Sequence, residues 1–281
     1  MVELGKMNRL QVARVGAYDT YLDGGALGEV LLLDKSQAEP ASEGDQLDVF
    51  VCIDIDDTVV ATTKRPHALV GECASLKVVN LSKSGAYLDW GLKSDLFVPR
   101  SEQLGEMAIG STCVAYVMLD KTSQRMIAST RLYKYLKDEN QSDFKDGQKV
   151  ELLISQKTDL GYKAVINGTH LGLLYANEVF TELKPGDGCD GYINGIRVDL
   201  KIDLKLQKNA RTERSELESR ILTHLQSQGG ESTLTDKSPP EAIYKTYAVS
   251  KKAYKNALGG LYRGRLIVLA KDKITLADKA G

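Results

Sequence analysis

The stretch Gly85-Ala86-Tyr87-Leu88-Asp89 indicates most clearly how this 281-residue chain folds. Ala86 and Leu88 are apolar and flank Tyr87, and alternation with a period of two is typical of a β-strand with one buried face. Ala86 and Leu88 are therefore expected to face a core, which places Tyr87 on the outer surface. The segment predicts a short strand that carries an outward-facing aromatic ring.

The same order of short strands recurs on both sides of this stretch. Gly16-Ala17-Tyr18 and Gly161-Tyr162 repeat the Gly-Tyr landmark at intervals of about 70 residues, the length of one repeated unit. Within each unit, runs rich in Val, Ile, Leu and Tyr alternate with clusters of Gly, Asn, Asp or Ser. Five short strands without a helix favour a small Greek-key barrel of the OB type. The sequence predicts three such barrels, over residues 1–66, 70–134 and 145–208.

The last part of the chain has a helical pattern instead. Ser215-Glu216-Leu217-Glu218 is a capping box, which predicts a helix start. Ser238 and Ser250 are predicted to cap two further helices, and residues 265–276 are predicted to form a β-hairpin. Three helices and a hairpin are typical of a winged helix-turn-helix, here predicted over residues 212–281. The predicted fold class is therefore mainly β with a C-terminal α+β domain.

Charge divides unevenly along the chain. The formal net charge is −1, yet residues 208–281 hold 14 Lys/Arg against 8 Asp/Glu, and residues 1–70 hold 6 against 12. A polyanion is therefore expected to bind at the C-terminal end, or at basic patches in the middle, in preference to the N-terminus.

Several classes of protein are excluded by what the sequence lacks. No apolar run approaches the roughly 18 residues of a membrane span, and the N-terminus lacks the features of a secretory signal, so a cytoplasmic protein is expected. Gly186-Asp187-Gly188-Cys189-Asp190-Gly191 matches a dinucleotide-binding fingerprint in letters, but strand residues follow it where a helix is required. The cysteines and histidines have no metal-ligand or catalytic spacing. We therefore predict no enzyme, no cofactor and no metal.

Aromatic and basic residues together suggest nucleic-acid binding. The chain has 13 Tyr, and in the middle unit Trp90 and Phe97 accompany Tyr87. Flat rings that stack on bases, with cations for phosphates, are what single-stranded nucleic acid requires. The alternative for any one Tyr is a half-buried packing ring. The residues predicted to bind RNA are Tyr87, Trp90, Phe97, Tyr162 and Tyr175 for bases, and Arg100, Arg131, Lys251, Lys252, Lys255, Arg263 and Arg265 for phosphates.

The units resemble S1 RNA-binding domains, a branch of the OB fold, with Gly85-Ala86-Tyr87-Leu88 at the place of that family's Gly-x-Phe-Val strand. Three such units before a winged helix are similar to the bacterial conserved virulence factor B family. Segments 60–66, 95–103 and 239–246 match that family's pattern, beginning Val60-Ala61-Thr62, Asp95-Leu96-Phe97 and Pro239-Pro240-Glu241. The resemblance implies a cytoplasmic, non-enzymatic RNA-binding protein that affects expression of other genes, including virulence factors in pathogens.

Some residues depart from the S1 pattern. S1 domains commonly carry a His in the third strand, where this sequence has Val98 in the middle unit and Tyr175 or Ala176 in the third. The first unit has Leu31-Leu32-Leu33 there and is acidic, so it is the weakest RNA-binding candidate.

Three functions remain open from the sequence. The expected function is binding of single-stranded RNA, and this protein is expected to be a monomer. The first alternative is a DNA-binding transcription factor whose winged helix presents Lys251, Lys252 and Lys255 at the start of its recognition helix. The second alternative is a scaffold that binds other proteins and no nucleic acid, which the near-neutral net charge favours.

Overall fold

The computed structural model describes residues 1–33, 41–179, 182–206, 210–270 and 272–277. It contains three closed β-barrels, followed by helices and a three-stranded sheet. The barrels form one compact unit, and the C-terminal helices with their sheet form a second. The predicted fold class is confirmed.

Each barrel has the same five-stranded topology. The first barrel comprises β1 (Met7–Val15), β2 (Thr20–Asp23), β3 (Glu29–Leu32), β4 (Gln46–Ile53) and β5 (Val59–Thr62). Strand β1 pairs with β2 and β4, and β2 pairs with β3, all in antiparallel orientation. Strand β5 pairs in parallel with β3 and in antiparallel with β4, which closes the barrel. Strand β2 begins after Tyr18, so Tyr21 rather than the predicted Tyr18 lies within the strand.

The second and third barrels repeat this order. The second comprises β6 (Cys73–Leu81), β7 (Gly85–Asp89), β8 (Leu96–Pro99), β9 (Thr112–Leu119) and β10 (Met126–Ser129). The third comprises β11 (Lys149–Thr158), β12 (Gly161–Ile166), β13 (His170–Tyr175), β14 (Gly188–Ile196) and β15 (Ile202–Lys205).

The middle barrel has the strand orientation that the sequence predicts. Ala86 and Leu88 on β7 are fully buried, whereas Tyr87 between them is half-buried on the outer side. Gly85 begins the strand under the ring of Phe97, where a Cβ atom would lie 2.7 Å from Phe97 Cε2. Glycine is therefore needed at this position, because a Cβ atom would clash with the Val98 carbonyl oxygen as well as with the ring.

The first two barrels share part of a core. Phe50 on β4 is fully buried in the apolar cluster of the second barrel, and its ring meets Trp90 edge-on with centroids 5.7 Å apart. The Arg125 guanidinium also crosses between the barrels to the Asp57 carboxylate, 2.7 Å away. Burial of aromatic surface contributes most of the stability of this contact between the barrels, because the ion pair is largely exposed to solvent.

An apolar cluster joins the second barrel to the third. Val114, Leu132 and Leu136 from the second barrel and its linker pack with Val165 on β12. Backbone hydrogen bonds add to this contact, since Lys137 donates to Thr169 and accepts from Leu171. The three barrels are thus packed together by buried side chains.

The C-terminal unit is a winged helix-turn-helix. Its elements are α1 (Ala210–Ser227), β16 (Glu231–Ser232), α2 (Pro240–Tyr247), α3 (Lys251–Arg263), β17 (Ile267–Leu269) and β18 (Ile274–Leu276). Ser250 accepts a hydrogen bond from the Ala253 amide and caps α3, as predicted. Two predicted caps are wrong. Ser215 lies inside α1. Pro239 is the N-cap residue of α2, and the Ser238 hydroxyl instead accepts a hydrogen bond from the Thr235 amide in the preceding turn.

Candidate nucleic-acid interface

The three barrels have corresponding positions that can be compared directly. In each one the first strand has a bulge, and the residue after it pairs with an outward residue of the second strand, which in turn pairs with the third strand. We call these three positions the cross-strand row. The row is Arg14–Tyr21–Leu31 in the first barrel, Asn80–Tyr87–Phe97 in the second and Gln156–Lys163–Leu173 in the third.

The second barrel presents two aromatic rings in its row. The ring centroids of Tyr87 and Phe97 are 5.2 Å apart and the rings are tilted by 44°. Both side chains are half-buried, so their inner edges pack on the barrel while part of each ring meets solvent. Ile127 pairs with Phe97 across the next strand and extends the apolar surface. Flat apolar rings on a barrel face are suited to stacking on unpaired bases.

The other two rows are different. In the first barrel, the Arg14 guanidinium lies over the Tyr21 ring at 3.8 Å from its centroid and pairs with the Glu29 carboxylate at 3.0 Å. In the third barrel, the outward position of β12 is the exposed Lys163. Within the described residues, the second barrel alone therefore has two rings side by side in this row.

Cations gather at one end of the aromatic pair. The Arg100 amide follows β8 and donates to the Ser84 carbonyl at 3.0 Å, which brings exposed Arg100 next to exposed Lys83. Arg131 follows the parallel neighbour β10 and lies at the same end, where its Nη1 donates to the Tyr133 hydroxyl at 3.1 Å. Asp89 and Asp95 lie at the opposite end. The charge on this face therefore changes from positive at one end to negative at the other, and phosphates are favoured at the Arg100 end.

A partly buried carboxylate holds the linker at this basic end. Glu102 accepts hydrogen bonds from Ser129 Oγ at 2.6 Å, Lys134 Nζ at 2.8 Å and the Tyr135 hydroxyl at 3.0 Å. Burial raises the pKa of Glu102, but these hydrogen bonds outweigh burial and leave the pKa below its usual range. The ionised carboxylate keeps residues around Arg131 in a fixed position.

Two of the predicted stacking residues are buried instead. Trp90 is 4% exposed, because its ring packs on Phe50 of the first barrel and its Nε1 donates to the Ser94 carbonyl. Tyr162 is 8% exposed, because the register of β12 places it at the inward position that Ala86 holds in β7. The expectation that these rings lie on an exposed face is wrong. Tyr175 is half-buried at the end of β13, opposite Gly161.

The predicted basic residues of the winged helix fall into two groups. Lys252, Lys255 and Arg263 are exposed on α3, and Arg265 is exposed in the turn that follows it. Lys251 Nζ instead donates to the Ser238 carbonyl at 3.0 Å and to the Lys237 carbonyl, which fixes the turn before α2. Lys251 is therefore a structural residue, and the other cations are available to a ligand.

Sequence reasoning missed several surface residues. Asn256 lies on the same exposed side of α3 as Lys252 and Lys255, where its helical spacing alone could have identified it. Tyr133 is 53% exposed beside Arg131. Tyr21 was missed because the Gly-Tyr landmark pointed to Tyr18, although Thr20 and Leu22 flank Tyr21 in the alternating pattern of a strand.

The described residues hold no cluster suited to a metal ion, and the four cysteines are free thiols. Burial raises the pKa of the thiol to about 11 at Cys52 and Cys113 and to about 12 at Cys73, so these groups are neutral near pH 7. None of the helices in the described parts of the chain has both the length and the apolar composition that crossing a membrane requires.

The fold and this surface define a class of protein: tandem OB-type barrels followed by a winged helix, both of which are domain types that bind nucleic acids. Family models agree with this class. An S1 domain model matches residues 4–64, and the model described as a CvfB-like winged helix domain matches residues 219–276.

Whole-chain comparisons find similar proteins over most of the chain. The chain is 24% identical over 269 residues to conserved virulence factor B of Staphylococcus epidermidis, covering 92% of this chain and 90% of that protein. It is 22% identical over 269 residues to conserved virulence factor B of Staphylococcus aureus, with the same coverage. The predicted resemblance to the conserved virulence factor B family is confirmed over almost the whole chain.

Two further similarities extend this set. The chain is 25% identical to the uncharacterized protein YitL of Bacillus subtilis over 248 residues, covering 83% of this chain and 80% of that one. A crystal structure of a multidomain protein with nucleic acid binding domains from Streptococcus pneumoniae is 23% identical, covers 97% of this chain and 98% of its own, and gives a TM-score of 0.42.

Proposed function

We propose that this protein is a non-enzymatic, cytoplasmic and monomeric protein that binds single-stranded RNA and regulates expression of other genes after transcription. The observation that carries the proposal is the Tyr87–Phe97 pair on the outer face of the second barrel, with Arg100 and Arg131 at one end. Rings on adjacent strands can each stack on a base, and the cations can contact the phosphates between bases. The names of the similar proteins support a link to virulence.

The test is a fluorescence anisotropy titration with the full-length protein. A labelled single-stranded RNA and a duplex DNA of equal length are compared at one salt concentration, because phosphate contacts make every affinity depend on salt. Tighter binding of the RNA is expected, since stacking needs unpaired bases. Equal or reversed affinities would contradict the proposal.

A second candidate function is duplex DNA binding through the winged helix. Lys252, Lys255 and Arg263 form an exposed basic side on α3, the second helix of the helix-turn-helix, with Asn256 among them. Such a helix can enter a major groove, where an amide can read a base edge. Preference for duplex DNA in the same titration, abolished by changing Lys252 and Lys255, would favour this function.

A further inference from the structure

We propose that Arg14 determines which barrel binds a base, because its guanidinium covers the face of the Tyr21 ring and thereby blocks base stacking on the first barrel. This inference rests on the proposed function and adds a residue that selects among the barrels. The second barrel would then receive the bases, although Tyr21 and Tyr87 occupy the same position of their barrels.

The geometry of the first barrel supports this closure. Arg14 lies opposite Tyr21 on the adjacent strand, with its guanidinium carbon 3.8 Å from the ring centroid. A guanidinium at that distance occupies the face on which a base would stack. Glu29 holds the guanidinium by two hydrogen bonds, Nη2 to Oε2 at 3.0 Å and Nε to Oε1 at 3.5 Å. The arginine is thus both stacked and paired.

Charge around the first barrel acts in the same direction. Arg14 is paired with Glu29, so it offers little net positive charge to a phosphate. Asp23 and Glu43 line the same surface depression as Glu29. A polyanion is therefore repelled where the ring is already covered.

The second barrel has the same positions without the cover. Asn80 replaces Arg14, and its Oδ1 accepts a hydrogen bond from the Leu81 amide at 2.8 Å. Asp95 precedes Phe97 by two residues, as Glu29 precedes Leu31. An arginine placed at residue 80 would therefore have both a ring to cover and a carboxylate to pair with.

The experiment is a reciprocal exchange in the full-length protein, with a labelled ten-nucleotide oligouridylate as the probe. Arg14→Asn should raise the affinity at least about fivefold, the lower end of what one stacked ring contributes. Asn80→Arg should lower it by about the same factor, because the new guanidinium covers Tyr87. Both changes are opposite to the simple effect of charge, since losing a cation should weaken RNA binding and gaining one should strengthen it.

Two controls separate this inference from the proposed function. Adding Tyr21→Ala to Arg14→Asn should remove the gain, and Tyr21→Ala alone should leave the affinity unchanged. An Arg14→Asn protein that binds no more tightly than the original would overturn the inference, whatever the affinity of the original. Weaker binding by Tyr21→Ala alone would also overturn it. Failure of the proposed function itself would appear as Tyr87→Ala and Phe97→Ala having no effect on the probe.

Discussion

Tyr87, Phe97 and Leu88 are neighbours that have different roles in the middle barrel. Tyr87→Ala and Phe97→Ala should each lower RNA affinity by roughly 1–3 kcal/mol and destabilise the barrel less than Leu88→Ala does, because both rings are only half-buried. Leu88→Ala should destabilise the barrel by roughly 2–5 kcal/mol, because it opens a cavity in a filled core. RNA titrations and thermal melts of the three variants decide this. Unfolding by Tyr87→Ala but not by Leu88→Ala would place the binding face in the core.

Leu200 holds a backbone conformation that costs stability. It lies in the turn before β15 with φ of 62°, in the left-handed region, and its side chain is exposed. Leu200→Gly should stabilise the protein by about 1 kcal/mol, because glycine has no Cβ to clash there. Its backbone bonds to Arg197 and Asn140 are unaffected.

Leu160 provides the matched control in chemical denaturation. It is an exposed leucine in another turn of the third barrel, without a positive φ. Leu160→Gly should lower the free energy of unfolding, since glycine gains freedom mainly in the unfolded chain. The interpretation of Leu200 is wrong if both glycines destabilise.

Individual positions were predictable where a local pattern decides them. Alternation along β7 gave the orientation of Tyr87, and a Ser before a helical pattern gave the Ser250 cap. Trp90 could not be placed, because its partner Phe50 belongs to another barrel. Tyr162 was misplaced because it directly follows Gly161, whereas Tyr87 lies two residues after Gly85, and neighbouring residues of a strand face opposite sides.

Among the elements, α3 has a basic side that can be tested apart from its packing. Lys252→Ala with Lys255→Ala should reduce the slope of log affinity against log salt by about 0.7–0.9 for each phosphate that these lysines neutralise. Thermal stability should stay unchanged, because both side chains are exposed. The measurement is a series of RNA titrations at increasing salt. An unchanged slope would mean that this side of α3 is only solvated.

Lys251→Ala is the matched control on the same helix. Lys251 donates to the Ser238 and Lys237 carbonyls, so its removal should lower the melting temperature of the C-terminal unit. The salt dependence of binding should change less than in the double variant. A large change in slope with no decrease in stability would instead place Lys251 at a phosphate.

Helix starts were harder to predict than helices themselves. The capping box at Ser215 is a real pattern in the sequence, yet α1 begins at Ala210 because the helical segment continues upstream of it. In the turn before α2, the Ser238 hydroxyl accepts a hydrogen bond from the Thr235 amide, so Ser238 does not cap the helix. A serine before an apolar helical run therefore identifies the neighbourhood of a helix start without fixing its first residue.

For the molecule as a whole, the first two barrels should behave as one folding unit. The predicted domain boundaries 1–66 and 70–134 stay a prediction, and the Phe50–Trp90 contact crosses the gap between them. A fragment of residues 70–134 should therefore melt at a lower temperature than the second barrel within a fragment of residues 1–134, because it lacks Phe50. Differential scanning calorimetry of both fragments provides the measurement.

The variant Phe50→Ala tests the same contact without cutting the chain. It should destabilise the barrels by about 3–5 kcal/mol, the usual result of truncating a buried phenylalanine. Leu225→Ala, buried in the C-terminal unit, should leave the barrels' transition unchanged. Equal melting of the two fragments, or an unchanged barrel transition in Phe50→Ala, would show that the barrels fold independently.

The bulge that recurs in all three barrels has an evolutionary consequence. It places the same three positions side by side in each barrel. The residues at these positions form a covered tyrosine in the first barrel and an open aromatic pair in the second, and they include a lysine in the third. Because these positions lie on the outer surface, substitutions there leave the backbone frame intact. A duplicated barrel can therefore lose its ligand and persist as a spacer, and a few surface substitutions can return it to use. Diversification of such a chain needs no new fold.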